Sequence, residues 1–239
     1  MIEIRELYKK YAKKEVLHRI DTVFKKGKLT VVLGPNGSGK TTLIKSILGL
    51  VLPETGAITV DGEKTTGMYL YRDKIGYLPQ INQFPGNLKV ETLLRFLATL
   101  SNSEAVLKSE LIEAFGLTPY MAQKIRTLSG GTLQKVNLVQ AFMHDTPYLI
   151  LDEPTSGLDP LTLLKFKKLV QDARGKGKTI VITTHVLELV EEMADEIVFI
   201  LEGKVYFQGK LNELNKETGQ KDLLHSMAEV LSKKNVENI

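Results

Sequence analysis

The sequence contains no cysteine among its 239 residues. This absence excludes a disulfide scaffold, a thiolate metal site and a cysteine nucleophile. No run of 18 consecutive apolar residues occurs either, and the first ten residues, MIEIRELYKK, lack the apolar segment of a signal peptide. We therefore expect a chain that is soluble by itself. If it works at a membrane, another polypeptide must supply the membrane span.

A strong excess of charge of one sign is also missing. Lysine and arginine number 32 against 28 aspartate and glutamate, so the formal net charge is +4. This small excess only weakly favours phosphate-bearing ligands or an anionic surface, and the lysine clusters are typical of solvated faces. We find no nucleic-acid-binding stripe and expect no nucleic-acid partner. With 43% hydrophobic and 25% charged residues, the composition excludes disorder and a fibrous repeat.

The periodicity of the sequence predicts how the chain is organised. Strand and helix patterns alternate up to about residue 83 and again from about residue 145, whereas helical periodicity dominates between them, at 91–100, 103–115 and 132–143. We therefore predict one domain, 1–239, of α/β class. Residues 84–144 form an inserted helical subdomain, and residues 1–83 and 145–239 form the core and a β subdomain. The last thirty residues predict a short pair of helices.

A glycine-rich segment carries the sharpest motif. It fits the pattern G-x-x-x-x-G-K-[ST] and stands between a predicted strand and a predicted helix. Its glycines let backbone N–H groups surround phosphate oxygens at the helix N-terminus. Lys40 is expected to reach the β- and γ-phosphates, and Thr41 to bind Mg²⁺; the alternative is an ordinary glycine-rich turn. The predicted phosphate-binding residues are Gly34, Pro35, Asn36, Gly37, Ser38, Gly39, Lys40, Thr41 and Thr42.

Two acidic residues end a predicted buried strand, in the sequence YLILDE. A phosphate-binding loop needs a partner carboxylate for the metal ion at the end of a neighbouring strand, and Asp152 supplies it. Glu153 is placed to accept a proton from the water that attacks the γ-phosphate. The alternative is that both are charges at the entry to a loop.

A second helix N-terminus has the residues of an anion site. Ser129 is a good N-cap for the predicted helix, and Gly130 and Gly131 let a phosphate approach closely. One nucleotide in one chain occupies only the first such site. The second therefore binds something else, or it serves a nucleotide held by another subunit.

These segments, followed by SGLD at 156–159 and by Thr-Thr-His185, are similar in kind and order to the ATP-binding subunits of ABC transporters. The resemblance covers essentially the whole chain. It implies a P-loop NTPase (RecA-like) core with an antiparallel β subdomain and an inserted α-helical subdomain. It also implies ATP and Mg²⁺ as ligands and a head-to-tail dimer, in which the segment 129–131 contacts the γ-phosphate of ATP on the opposite subunit.

The same resemblance implies roles for four further residues. Gln80 touches Mg²⁺ or the attacking water, His185 binds the γ-phosphate, Asp159 communicates across the dimer, and Tyr11 stacks on adenine. Taken alone, three of them have a simpler interpretation: Gln80 as a loop glutamine, His185 as a structural histidine, and Tyr11 as an aromatic whose role Tyr8 could fill.

The resemblance also implies partners. These are integral membrane permease subunits and a second ATPase subunit, either a copy or a homologue, at the cytoplasmic face of the membrane. Residues around Phe84, Pro85 and Leu88 are candidates for the groove that receives the permease; the alternative is a hydrophobic contact within the helical subdomain. Two departures from the commonest pattern, Thr132 after LSGG and Val186 after the histidine, together with only 54 residues after His185, favour export over import. The alternative is a soluble ABC ATPase of an assembly complex, such as iron-sulfur cluster assembly.

Overall fold

The computed structural model describes residues 1–80 and 84–237, with side chains at 1–80 and 84–232. The chain divides into two compact units. Unit 1 comprises Met1–Thr66 and Thr183–Ile239, and unit 2 comprises Gly67–Ile182. This division differs in its bounds from the predicted insert at 84–144, which stays a prediction.

Unit 1 contains an antiparallel sheet of four strands in the order β2-β1-β4-β5. Alternate residues of β1 are buried near its start, where Ile2 and Ile4 face the core, as expected for a sheet with one covered face. Ile4 pairs with Thr22 on one side and with Ile58 on the other. The strands are β1 (Ile2–Tyr11), β2 (Lys14–Phe24), β4 (Thr55–Val60) and β5 (Glu63–Lys64).

The second part of unit 1 is built on fully buried strands. All residues of β3 (Leu29–Leu33) and β9 (Glu196–Leu201) are buried, and the two strands pair in parallel with Val31 opposite Ile197. Continuous apolar strands of this kind need cover on both faces. Strand β10 (Lys204–Gly209) pairs antiparallel with β9. The helices are α1 (Lys40–Ile47), α6 (Leu187–Met193), α7 (Leu211–Thr218) and α8 (Leu223–Glu237).

Unit 2 holds three strands and four α-helices among its described residues. Strand β7 (Tyr148–Asp152) lies between β6 (Ile75–Leu78) and β8 (Thr179–Thr183), and β6 and β7 are parallel. A Cβ at Gly76 would lie 2.1 Å from the carbonyl oxygen of Ala141, so α4 approaches β6 closely because this position has no side chain. The helices are α2 (Val90–Ala98), α3 (Lys108–Ala114), α4 (Gly130–Phe142) and α5 (Pro160–Gly175).

Helix α3 is shorter than the helical periodicity at 103–115 predicts. It begins at Lys108, because the N–H of Leu107 donates to the carbonyl oxygen of Met143, 3.1 Å away, instead of to its own chain segment. Ser101 and Ser103 bond each other through their side chains at 2.7 Å and hold the preceding residues in a turn. The expected pair of terminal helices is present as α7 and α8.

Candidate functional site: the phosphate-binding loop and its partners

The glycine-rich segment forms the loop between β3 and α1 in unit 1. The loop starts at Gly34, where a Cβ would lie 2.1 Å from the carbonyl oxygen of Ile200, so only glycine fits there. Helix α1 begins at Lys40 without a side-chain cap, and the N-terminus of a helix favours an anionic ligand. Thr41 and Thr42 lie half-buried in that turn.

Lys40 lies over the loop that precedes it. Its Nζ donates to the carbonyl oxygens of Gly34, at 2.7 Å, and of Pro35, at 3.0 Å. The side chain is only 8% exposed, so a positive charge is held inside the curve of the loop. A buried ammonium next to backbone donors is an arrangement that attracts phosphate oxygens.

The loop also carries a buried hydroxyl that suits a ligand. The Oγ of Ser38 is buried and has no hydrogen-bond partner among the described residues. The backbone of Ser38 is held in place, because its N–H donates to the carbonyl of Pro35 at 3.2 Å and its carbonyl accepts from the N–H of Gly203 at 3.0 Å. Buried hydroxyls normally have a partner, and a phosphate oxygen would supply one here. The residues present therefore fit a nucleotide phosphate.

His185 lies close to this loop within unit 1. It follows β8, and together with Gly34 and Pro35 it lines a cavity of 270 Å³. Its imidazole is exposed, and the turn is fixed by the N–H of Val186, which donates to the hydroxyl of Thr184 at 3.1 Å. The structure thus brings the predicted histidine to the start of the phosphate-binding loop.

The two candidate aromatics on β1 differ in what they contact. The hydroxyl of Tyr8 donates to Glu15 at 2.9 Å, and this bond raises the pKa of Tyr8. The ring of Tyr11 is 48% exposed at the end of β1, with the Nζ of Lys9 5.2 Å from its centroid. Tyr11 therefore has the more accessible ring face for a base.

Unit 2 carries the acidic pair at the end of β7. Asp152 is 1% exposed, and burial together with the charge of Asp152 raises the pKa of Tyr77, on neighbouring β6, to about 12. Glu153 adopts φ +51°, a left-handed conformation that costs about 1–3 kcal/mol for a non-glycine residue. Strained residues of this kind cluster at functional sites. Glu153 is 9% exposed.

The second predicted anion site is the N-terminus of α4. The Oγ of Ser129 accepts from the N–H of Thr132 at 3.2 Å and caps the helix as predicted. Ser129 and Thr132 also bond through their hydroxyls at 2.9 Å. Thr132, the departure from the commonest motif, thus adds a hydroxyl that hydrogen-bonds to the side chain of Ser129. Gly130 and Gly131 form the first turn.

Helix α4 makes two further contacts that the sequence does not reveal. The side-chain amide of buried Gln134 donates to the carbonyl of Pro154 at 3.0 Å and ties α4 to the residue after Glu153. The Nζ of Lys135 lies 3.2 Å from Asp159. The sequence could have indicated this role for Gln134 only if it marked the position as buried. The apolar periodicity of α4 does not do so.

Asp159 serves as the N-cap of α5. Its carboxylate accepts from the N–H and the hydroxyl of Thr162 at 2.8 and 2.7 Å. These bonds hold the pKa of Asp159 below its ordinary value. The hydrogen bond from the hydroxyl of Thr162 contributes most, followed by the bond from its N–H and then by the interaction with Lys135. A Cβ at Gly131 would lie 3.1 Å from the carbonyl oxygen of Gly157, so this loop also lies beside the start of α4.

Gln80 lies two residues beyond β6 with an exposed side chain. It is the last residue before 81–83, which lie outside the described part of the chain.

Within the described part of the chain, no group of three or more histidine and acidic side chains could hold a metal ion by itself. Mg²⁺ prefers oxygen donors, so the hydroxyl of Thr41 in unit 1 and the carboxylate of Asp152 in unit 2 are each of a suitable type, and their shared role stays a prediction. In the described residues, no helix is long and apolar enough to cross a membrane.

Buried parallel strands, a glycine-rich loop between β3 and α1 in unit 1, and an acidic pair at the end of β7 in unit 2 are features of P-loop nucleotide hydrolases. The chain belongs to the ABC transporter family, whose model matches residues 17–156. It is 34% identical over 234 residues to the uncharacterized ABC transporter ATP-binding protein YhaQ of Bacillus subtilis (strain 168), covering 95% of this chain and 77% of that protein. It is also 34% identical over 213 residues to the Nod factor export ATP-binding protein I of Burkholderia orbicola (strain AU 1054), covering 87% and 70%.

Solved structures of the same family have the same fold. The ATP binding subunit of an ABC transporter matches with a TM-score of 0.90 and 31% identity over 97% of this chain and 99% of that one. The bacterial ABC transporter cassette MJ0796, solved as a dimer, matches with a TM-score of 0.81 and 25% identity over 88% and 99%. The predicted family and fold class are confirmed, and the chain is an ATP-binding subunit that hydrolyses ATP.

Proposed function

We propose that two copies of this chain bind two ATP molecules head to tail and use their hydrolysis to drive export through a separate membrane permease. The observation that carries the proposal is the presence of two helix N-termini suited to phosphate, one in each unit. The end of α1 has no side-chain cap and lies beside buried Lys40. The end of α4, at Ser129, receives the γ-phosphate of the ATP that the other copy holds.

Nucleotide binding is the task of the loop and its neighbours. Lys40 binds the β- and γ-phosphates through the ammonium that now lies against the loop carbonyls. Tyr11 stacks its exposed ring on the adenine. Thr41 and Asp152 hold Mg²⁺, which neutralises charge on the phosphate oxygens when bound.

Hydrolysis is the task of the residues that follow β7 and β8. Glu153 accepts a proton from the attacking water. Its left-handed backbone conformation sets the direction in which the side chain leaves the chain. His185 orients the γ-phosphate, and Gln80 contacts the water or the ion. Asp159 transmits contact between the copies from its fixed position at the start of α5. Positioning and charge therefore supply most of the catalysis.

A Glu153→Gln variant tests the dimer. Without the carboxylate, proton transfer fails while phosphate contacts persist, so we expect turnover to fall by at least 100-fold and an ATP-bound dimer to accumulate. Size-exclusion chromatography with light scattering, with and without ATP, measures this, and Glu63→Gln on exposed β5 is the matched control. A Glu153→Gln protein that stays monomeric with saturating ATP would contradict the proposal.

A surface of unit 2 supports a permease partner. Phe96 and Leu100 are 55% and 61% exposed at the end of α2. Next to them, a 170 Å³ cavity is lined by Leu97 and Leu100 and by the polar side chains of Arg72 and His144. Exposed apolar side chains beside polar ones are typical of an interaction site. Phe84, Pro85 and Leu88, which precede α2, stay the candidates from the sequence for the groove that receives the permease.

Capture of the tagged Glu153→Gln protein from native membranes, with ATP and mild detergent, tests the partner. We expect a polytopic membrane protein by mass spectrometry and its loss in a Phe96→Glu/Leu100→Glu variant that still hydrolyses ATP. Export is supported by similarity to a Nod factor export protein, and ATP-dependent efflux from inverted vesicles measures direction. Recovery of soluble partners alone would favour the assembly-factor alternative.

A further inference from the structure

Helix α8 forms one wall of an apolar cavity in unit 1. Leu224, Met227, Ala228 and Leu231 recur at the spacing that places side chains on one face of a helix. Leu223 and Ser226, which lie outside this stripe, are fully buried. The helix is thus anchored by these two residues and presents an apolar stripe.

The other wall of this cavity is the phosphate-binding loop itself. Gly34 and Pro35 line it together with His185 and Leu187, and among the side chains that the structure describes, 1–80 and 84–232, no lysine, arginine, aspartate or glutamate lines it. Its volume is 270 Å³. Since an apolar cavity of about 150 Å³ holds a benzene-sized group, this cavity has room for two branched apolar side chains.

A matching pair of side chains lies in unit 2. Leu161 and Leu164 are each 63% exposed on the first turns of α5 and, three residues apart, share one face. They directly follow Asp159, the residue assigned to contact between the copies. An exposed apolar pair at such a position is expected to be covered in the assembly.

We propose that Leu161 and Leu164 of one copy insert into the α8 cavity of the other copy when ATP joins them. This inference rests on the proposed head-to-tail dimer, in which unit 1 of each copy faces unit 2 of its partner. The cavity is continuous with the loop and His185, and the leucine pair is continuous with Asp159, so both belong to that interface. Helix α8 of one copy therefore contacts α5 of the other beside the phosphate-binding loop.

Cross-linking tests the contact directly, because the native chain contains no cysteine. Glu153→Gln proteins carrying Leu161→Cys or Leu164→Cys are mixed with Glu153→Gln proteins carrying Leu224→Cys or Ala228→Cys. A short bismaleimide is added with or without ATP. We expect a mixed dimer on denaturing gels only with ATP. The matched control pairs Leu50→Cys, at a site that is 60% exposed in unit 1, with Ala228→Cys and should give none.

Equilibrium measurements give a second readout. In the Glu153→Gln background, Leu161→Ser/Leu164→Ser should weaken ATP-dependent dimerisation at least tenfold, because two apolar side chains lose their burial. The ATP affinity of the dilute monomer should stay unchanged. Leu50→Ser/Leu52→Ser, equally exposed, is the control. Ala228→Phe fills the cavity from α8 and should weaken the dimer too, with an effect that is not additive with the serine pair.

The outcomes separate the two proposals. An ATP-bound dimer that forms normally, gives no mixed cross-link in any pairing and is unaffected by the serine pair would overturn the leucine contact alone. Failure of the Glu153→Gln parent to dimerise would overturn the head-to-tail dimer itself. A small apolar ligand or a permease segment that occupies the cavity without ATP would also overturn the leucine contact.

Discussion

The N-termini of α1 and α4 have the same expected ligand but different local chemistry. Helix α1 has no side-chain cap and carries a buried lysine at its first position. Helix α4 is capped by the hydroxyl of Ser129, which in turn bonds Thr132. The first end has a buried positive charge and no side-chain cap, whereas the second has a side chain that accepts one of its N–H groups. The difference suggests a strong primary phosphate site and a weaker site that acts only on a phosphate already bound elsewhere.

Removing the charge at the first end should have the largest effect. Lys40→Ala deletes a charge-assisted bond worth roughly 1.5–3 kcal/mol, so the ATP affinity of the single subunit should fall about 10- to 100-fold. Equilibrium titration with a fluorescent ATP analogue measures it. Lys45→Ala, in the last turn of the same helix, is the control. Unchanged affinity in Lys40→Ala would remove the distinction between the two ends.

Removing the cap of the second end should leave monomer binding intact. In Ser129→Ala, we expect an unchanged ATP affinity of the subunit, about tenfold weaker ATP-dependent dimerisation, and a loss of about 1 kcal/mol in the free energy of unfolding from the lost cap. Ser129→Asn keeps a capping side chain and should restore stability without restoring the dimer. If Ser129→Ala weakened ATP binding to the monomer as much as Lys40→Ala, α4 would belong to the primary site.

The hydroxyl of Thr132 allows a finer test. Thr132→Val removes the bond to Ser129 at nearly constant shape, and we expect a loss of about 0.5–1 kcal/mol in the free energy of unfolding with dimerisation weakened only a few-fold. Thr132→Ser retains the hydroxyl and serves as the control. Chemical denaturation and analytical ultracentrifugation measure the two effects. Equal behaviour of the valine and serine variants would show that the hydroxyl pair has no role.

The smallest expected effect concerns Asp159 beside α4. Its pKa is lowered in the folded chain, so its charge stabilises the fold above the ordinary pKa of an aspartate and this contribution disappears as pH falls through the lowered value. Asp159→Asn keeps a capping side chain and loses the charge. We expect a slightly lower Tm than the native chain at pH 7 and no difference in strong acid, measured by calorimetry. A difference that persists in acid would assign the effect to the cap geometry.

The sequence predicts the elements whose rules are local. The loop from Gly34 to Thr41, the N-cap at Ser129 and the buried strands are recognisable because each depends on residues adjacent in the chain. The bonds from Gln134 to Pro154 and from Lys135 to Asp159 were not predicted, because each joins residues about 20 or more positions apart. The prediction of where α3 starts was wrong for the same reason, since the start depends on the hydrogen bond from Leu107 to Met143. The meeting of Lys40 with Asp152 stays a prediction.

The two bonds from Lys40 to the carbonyls of Gly34 and Pro35 have a thermodynamic consequence. The ammonium already lies at the loop, and the backbone around Ser38 is already fixed. When ATP binds, the ammonium therefore exchanges carbonyl acceptors for phosphate oxygens, and little of the chain has to become ordered. Such preorganisation reduces the entropy lost on binding. Calorimetry of a single subunit should therefore show a small entropic penalty for ATP, and most of the ordering that hydrolysis later reverses would belong to the association of the two copies.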